Sequence, residues 1–149
     1  MEFLRLLYRF CTLLAVLAMS ACAELPVPVV IEMPAAPWAA VAGTEWVAFA
    51  VDGVDEVLAP KPKMRWTSAE SLSGTGGCNG FSGQVKQVNE YLRIGPLRPS
   101  GKPCLTMPGA QEDLFFKAIE LTRKGRLEHG QLVFTDETGK MLARFIKAD

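Results

Sequence analysis

Few side chains in this 149-residue sequence have the types and spacing to do chemistry. Four cysteines stand at Cys11, Cys22, Cys78 and Cys104, with one histidine, His129. Cys78 and Cys104 lack the Cys-x-x-Cys spacing that tunes a thiol for redox work. Two cysteines and one histidine also fall short of the usual four ligands of a structural zinc site, so no metal is expected. His129-Gly130 has the composition of a turn, and no Gly-x-Ser-x-Gly motif accompanies the histidine to supply a serine nucleophile. Glu112 and Asp113 are paired carboxylates by position, better explained by the first turn of a helix, where negative charge meets the helix dipole. Gly74 to Gly83 holds five glycines in ten residues. That run lacks the Lys-Ser/Thr ending of a phosphate-binding loop and opens no helix, so it reads as a structural turn. Trp38, Trp46 and Trp66 are candidates for a ligand groove, though tryptophan in strands more commonly packs a core. With no acid, base and nucleophile set, the expectation is a non-enzymatic domain without a cofactor.

The cysteines sort by position. Arg5 and Arg9 precede an uncharged, almost wholly apolar run from Phe10 to Met19 that contains Cys11. Ten helical residues span only about 15 Å, short of a hydrocarbon core of about 30 Å. A positive region, a short apolar region and small residues form the pattern of an export signal. The site that follows, Met19-Ser20-Ala21-Cys22, resembles a bacterial lipobox, in which the cysteine becomes the acylated N-terminus. The competing reading is ordinary secretion, because Ala21-Cys22-Ala23 is itself an A-x-A cleavage site. On the lipobox reading residues 1–21 are removed, lipid on Cys22 holds the protein to the membrane, and no other anchor is needed. Ala23, rather than Asp, follows the cysteine, which favours the outer membrane, with the domain facing the periplasm.

Residues 22–42 form the expected tether. Pro26, Pro28, Pro34 and Pro37 remove amide donors and oppose a helix, which makes an extended spacer. Val29-Val30-Ile31 is apolar enough to pack on the domain or on lipid. Loss of residues 1–21 leaves 14 basic and 15 acidic side chains, with no clustered basic excess of the kind nucleic acid requires. Nucleic acid is therefore set aside as a partner.

The remaining residues, 43–149, fit one domain. Thr44 to Val51 is β-branched and aromatic and ends at the turn signal Asp52-Gly53. Lys63 to Thr67 alternates, with Met64 and Trp66 on one face. Ser71 to Gly74 is a further short strand. Gln84 to Val88 and Tyr91 to Ile94 flank Asn89-Glu90 as a hairpin. Pro108 to Lys124 has the apolar stripe of an amphipathic helix, with Glu112 and Asp113 early, Arg123 and Lys124 late, and Gly125 as the expected C-cap. Gln131 to Thr135 and Lys140 to Phe145 form a final hairpin, with Leu132 and Phe134 on one face and Met141, Ala143 and Phe145 alternating on the second strand. Many short strands and one helix predict an α+β domain, a curled antiparallel sheet or partial β-barrel covered by one amphipathic helix.

In this order of elements, Thr44-Glu45-Trp46, Gly77-Cys78-Asn79, Gly83-Gln84-Val85, Cys104, Glu112-Asp113-Leu114-Phe115-Phe116 and the closing Leu132-Val133-Phe134, Asp136-Glu137-Thr138-Gly139 and Leu142 resemble the META domain family, which includes HslJ-like heat-shock lipoproteins. The likeness runs from Gly43 to Phe145. The approach to the second cysteine, Ser100-Gly101-Lys102-Pro103-Cys104, departs from the family's Thr-x-Met-Ala-like pattern, so that loop is expected to differ. The resemblance implies an envelope-associated, non-enzymatic domain linked to stress tolerance and outer-membrane integrity, with Gly77, Cys78 and Asn79 as a structural motif.

Cys78 and Cys104 are then an isolated pair in an oxidising compartment, where disulfides persist. A bond closing this loop would add roughly 3–4 kcal/mol in the chain-entropy model. Two free buried thiols remain compatible with the sequence. Two functions stay open: a binding or structural module that meets an envelope protein or lipid, and an inhibitor of an envelope-attacking hydrolase such as lysozyme. The second would present the segment Arg98 to Pro108 as a rigid loop.

Overall fold

Alternation of buried and exposed side chains organises the chain into strands: in Lys63–Ser68, Met64 and Trp66 are buried while Lys63, Arg65 and Thr67 face solvent. The computed structural model describes residues 41–104 and 110–149. The strands are β1 (Glu45–Val51), β2 (Lys63–Ser68), β3 (Ser71–Thr75), β4 (Gly80–Val88), β5 (Tyr91–Ile94) and β6 (Arg98–Pro99). The helix α1 (Gln111–Leu121) follows, then β7 (Lys124–Glu128), β8 (Gln131–Thr135) and β9 (Met141–Lys147).

The sheet runs β5-β4-β3-β2-β1-β9-β8-β7, with β6 added to β4, and its pairs are antiparallel. It curls until its two end strands meet along a seam, where the Leu92 amide donates to the Arg123 carbonyl at 2.7 Å. The result is the expected α+β fold, an almost closed antiparallel barrel with α1 packed against β1, β5 and β9.

The interior is an aromatic chain. Trp66 meets Phe134 edge-on at 6.0 Å between ring centroids, Phe134 meets Phe145 at 5.3 Å, Phe145 meets Phe115 at 6.3 Å, and Phe115 meets Phe81 at 5.8 Å. These contacts tie β2, β8, β9, α1 and β4 together, each worth about 0.5–1.5 kcal/mol beyond burial alone. On α1 the buried Phe115, Ala118 and Ile119 lie at helical spacing and face this chain. Trp46 and Trp66 are core residues rather than a groove, whereas Trp38 lies outside the described residues.

Four features differ from what the sequence predicts. The helix stops at Leu121, so Arg123 and Lys124 are not in its last turn and Gly125 is not its cap. Thr122 is extended, with its hydroxyl donating to the Ala118 carbonyl at 2.8 Å, and the Arg123 amide donates to Thr135. Sheet closure thus captures Lys124–Glu128 as β7, a strand the sequence did not announce, with Gly125 opposite Phe134. The glycine-rich run is only half turn: Gly80 and Gly83 belong to β4, opposite Thr75 and Leu72. The short β6 was also unforeseen. It is held by pairing of Arg98 and Pro99 with Ser82 and Phe81.

Candidate functional site

The turn from β3 to β4 carries Gly76-Gly77-Cys78-Asn79, and α1 is placed to meet it. The Gly76 amide donates to the Asn79 carbonyl at 2.9 Å, and the Thr75 hydroxyl accepts from the Gly77 amide at 3.1 Å. Gly77 has φ +118°, a conformation that L side chains rarely adopt. Gly76 is glycine for a different reason: a Cβ there would lie 2.6 Å from Glu112 Cγ and 2.8 Å from Phe116 Cζ. The turn is small because the helix presses against it.

Glu112 makes the central contact. One of its oxygens, Oε2, accepts from the Cys78 amide at 3.0 Å and the Asn79 amide at 2.7 Å, and Oε1 accepts from Asn79 Nδ2 at 2.7 Å. Asn79 then reaches the following loop: its Oδ1 accepts from the Ser100 hydroxyl and the Lys102 amide, both at 2.7 Å, and Nδ2 donates to the Lys102 carbonyl at 3.1 Å. Both residues are buried, Asn79 at 6% and Glu112 at 9% exposure, so each bond replaces water that the site excludes.

Cys78 and Cys104 are joined by a disulfide, with Cα atoms 6.0 Å apart, directly over this network. Their sulfurs and a Glu112 oxygen lie within 4.8 Å of one another, a grouping able to hold a soft cation if the sulfurs were thiolates. In the bonded form each sulfur's charge is gone and Glu112 is already occupied by three N–H donors. The arrangement binds its own backbone.

A shallow depression lies beside the start of α1, bounded by Gly53, Val54, Glu56, Leu58, Ala110, Gln111 and Leu114. The Gln111 amide clamps Leu58 on both sides, accepting from its N–H at 2.9 Å and donating to its carbonyl at 3.1 Å. At about 170 Å³ the depression is smaller than the roughly 300–1,000 Å³ of ordinary small-molecule sites.

Of the residues singled out in the sequence, Gly77, Cys78, Asn79 and Cys104 come together here. His129 sits at the β7–β8 turn with φ 50°, apart from this cluster. Cys22 and Leu105 to Gly109 lie outside the described residues. The sequence places Glu112 in the first turn of the helix and Ser100 and Lys102 in the loop before Cys104, but it does not announce that Asn79 binds all three. A carboxylate at the start of an amphipathic helix, in a chain with a small-residue turn rich in free amides, was the available signal.

An almost closed antiparallel barrel, one helix packed against it, and a Gly-Cys-Asn turn bolted to that helix by a carboxylate define a small α+β barrel domain. The META domain model matches residues 39–149, and the chain belongs to the META domain family. Two solved structures share the fold. A protein from Burkholderia xenovorans, determined by NMR, is 18% identical with a TM-score of 0.62, the match covering 89% of this chain and 99% of that one. Another protein determined by NMR is 20% identical with a TM-score of 0.53, covering 70% and 90%. No curated protein matches the chain.

Proposed function

We propose that this META-domain protein is a lipid-anchored module of the bacterial envelope, held at the outer membrane through acylated Cys22. It supports membrane integrity or stress tolerance by binding rather than by catalysis. The observation that carries the non-catalytic reading is the full use of Glu112 and Asn79 in holding the Cys78 turn and the 100–104 loop. The best-placed acidic and amide groups are committed to structure. Their exchange for a reactive role would leave buried donors unpaired. The lipobox-like Met19-Ser20-Ala21-Cys22 and a disulfide suited to an oxidising compartment support the envelope address.

The test is mass spectrometry of the full-length protein extracted from its own envelope in mild detergent. The expected result is an acylated Cys22 and a mass two hydrogens light at Cys78 and Cys104. An unacylated chain beginning after Ala23 overturns the anchored reading.

One observation favours a second reading, inhibition of an envelope-attacking hydrolase such as lysozyme. Residues 98–103 are exposed yet pinned by Asn79 and, at their end, by the disulfide, the rigidity that a cleft-plugging loop needs. A hydrolase assay with the domain at micromolar concentration decides it, and absence of inhibition removes this reading.

A further inference from the structure

The outer wall of the barrel at the seam carries a basic face, interrupted by Glu128. In the β4–β5 hairpin, Val85, Leu92 and Ile94 point inward. The alternation therefore turns Lys86, Val88, Tyr91 and Arg93 outward, with Lys86 directly opposite Arg93 and Val88 opposite Tyr91. Like charges directly opposite in a sheet repel. Across the seam, Lys124 Nζ stands 5.2 Å from the centroid of the Tyr91 ring, joining β7 to the same face. Beyond it, Arg126 and Arg144 flank Val133, which is buried beneath them, and share Glu128 at 2.5 and 3.6 Å.

Among the described residues, no carboxylate pairs with Lys86, Arg93 or Lys124. Glu90, in the turn, is the one acidic side chain on the hairpin. The whole chain carries zero formal net charge, so this excess is a matter of placement, not composition. At the hairpin tip Val88 is 63% exposed and Tyr91 42%.

We infer that this face docks the domain on an anionic phospholipid surface, with Lys86, Arg93 and Lys124 meeting headgroup phosphates and Val88 entering the interface. The complementarity is one of charge and layer: a bilayer presents negative charge over a broad plane with apolar matter just beneath, and the barrel presents a convex wall of cations with an aliphatic tip. Single-stranded nucleic acid fits less well, since it stacks successive bases on open aromatic faces and Lys124 already stands over one face of the Tyr91 ring. The inference rests on the envelope reading for the presence of a bilayer, but its test uses unacylated chain and so fails or succeeds independently of the Cys22 mass.

The experiment measures partition of the full-length unacylated chain onto vesicles of phosphatidylglycerol and phosphatidylethanolamine, and onto vesicles of phosphatidylcholine. The triple variant K86Q/R93Q/K124Q is compared with K61Q/K63Q/K117Q, which makes the same charge change elsewhere. The apolar N-terminal residues contribute equally to every protein, so the comparison isolates the face. Each basic group near an anionic surface strengthens binding about fivefold, so the first triple should weaken partition to anionic vesicles on the order of a hundredfold at low salt. High salt should shrink that gap, and phosphatidylcholine should abolish it. Equal losses in both triples, or no preference of the parent for anionic vesicles, overturn the inference.

Discussion

Glu112 on the helix and Asn79 in the β3–β4 turn grip each other twice, through the Asn79 amide at 2.7 Å and its side-chain Nδ2 at 2.7 Å. They lie 33 residues apart in the chain, yet together they decide where the helix sits on the barrel and where the 100–104 loop runs. A structural carboxylate of this kind has consequences that can be measured.

Replacing Glu112 by Gln keeps size but substitutes an NH₂ donor for one of two acceptor oxygens. One group of N–H donors in a buried site then loses its partner, at a cost of about 1–3 kcal/mol. Urea unfolding of Glu112→Gln should show that loss, and Glu112→Ala a larger one. A midpoint unchanged in both variants would show that the contact carries no stability.

Asn79→Asp places a second carboxylate 2.7 Å from the first and removes the donor to Lys102. The expected destabilisation is larger near neutral pH than at pH values where carboxylates protonate, because like charges so close disfavour joint ionisation. Denaturation at two pH values checks this, and equal losses at both would rule out the charge explanation.

The disulfide and the Asn79 contacts hold the same loop by different means. The double variant Cys78→Ser/Cys104→Ser should lose roughly 3–4 kcal/mol by the chain-entropy account. Amide exchange in residues 98–104 should accelerate only in part, since the Ser100 and Lys102 bonds to Asn79 persist. Exchange as fast as in an unfolded peptide would mean that the disulfide alone orders the loop.

Gly76→Ala should destabilise by about 1–3 kcal/mol through overpacking, because its Cβ would sit 2.6 Å from Glu112 Cγ. Gly80→Ala is the control: the nearest neighbour to its Cβ is the Gly74 carbonyl oxygen at 3.7 Å. Thermal unfolding of the pair should separate them, and equal losses would show that crowding against Glu112 is not the cause.

A hydrogen bond from Arg126 holds the Glu128 carboxyl below its ordinary value of 4.5, helped by the charges of Arg126, Arg144 and His129 against a smaller opposing effect of burial. A depressed folded value means stability that is fully present above pH 4.5 and is lost as pH falls through the folded value. The stability gap between parent and Glu128→Gln should therefore be about 1 kcal/mol near neutrality, the upper end for surface pairs because this one is half-buried, and close in acid. A gap that widens in acid would reverse the assignment.

Much of this was legible in the chain itself. Alternation placed Met64 and Trp66 in the core, Asn89-Glu90 marked a hairpin, and helical spacing exposed the buried stripe of α1. These are local signals, set by the period of the backbone. The order of short motifs around Gly77-Cys78-Asn79 was sufficient for the family. What escaped were a strand without a pattern of its own and contacts between distant segments. Lys124–Glu128 has no strong strand pattern and became β7 because an open sheet edge offered its hydrogen bonds. The helix ended early for the same reason. Glu112 carried a dipole-friendly address in sequence, but only closure of the barrel brought it to three amide donors that would otherwise be buried without partners. The types and periods of residues thus determined most of the elements and the core, while the bond between Cys78 and Cys104, open in the sequence against two free thiols, came with the fold. The tertiary structure decided which polar groups must satisfy one another, because that depends on which of them lose water together.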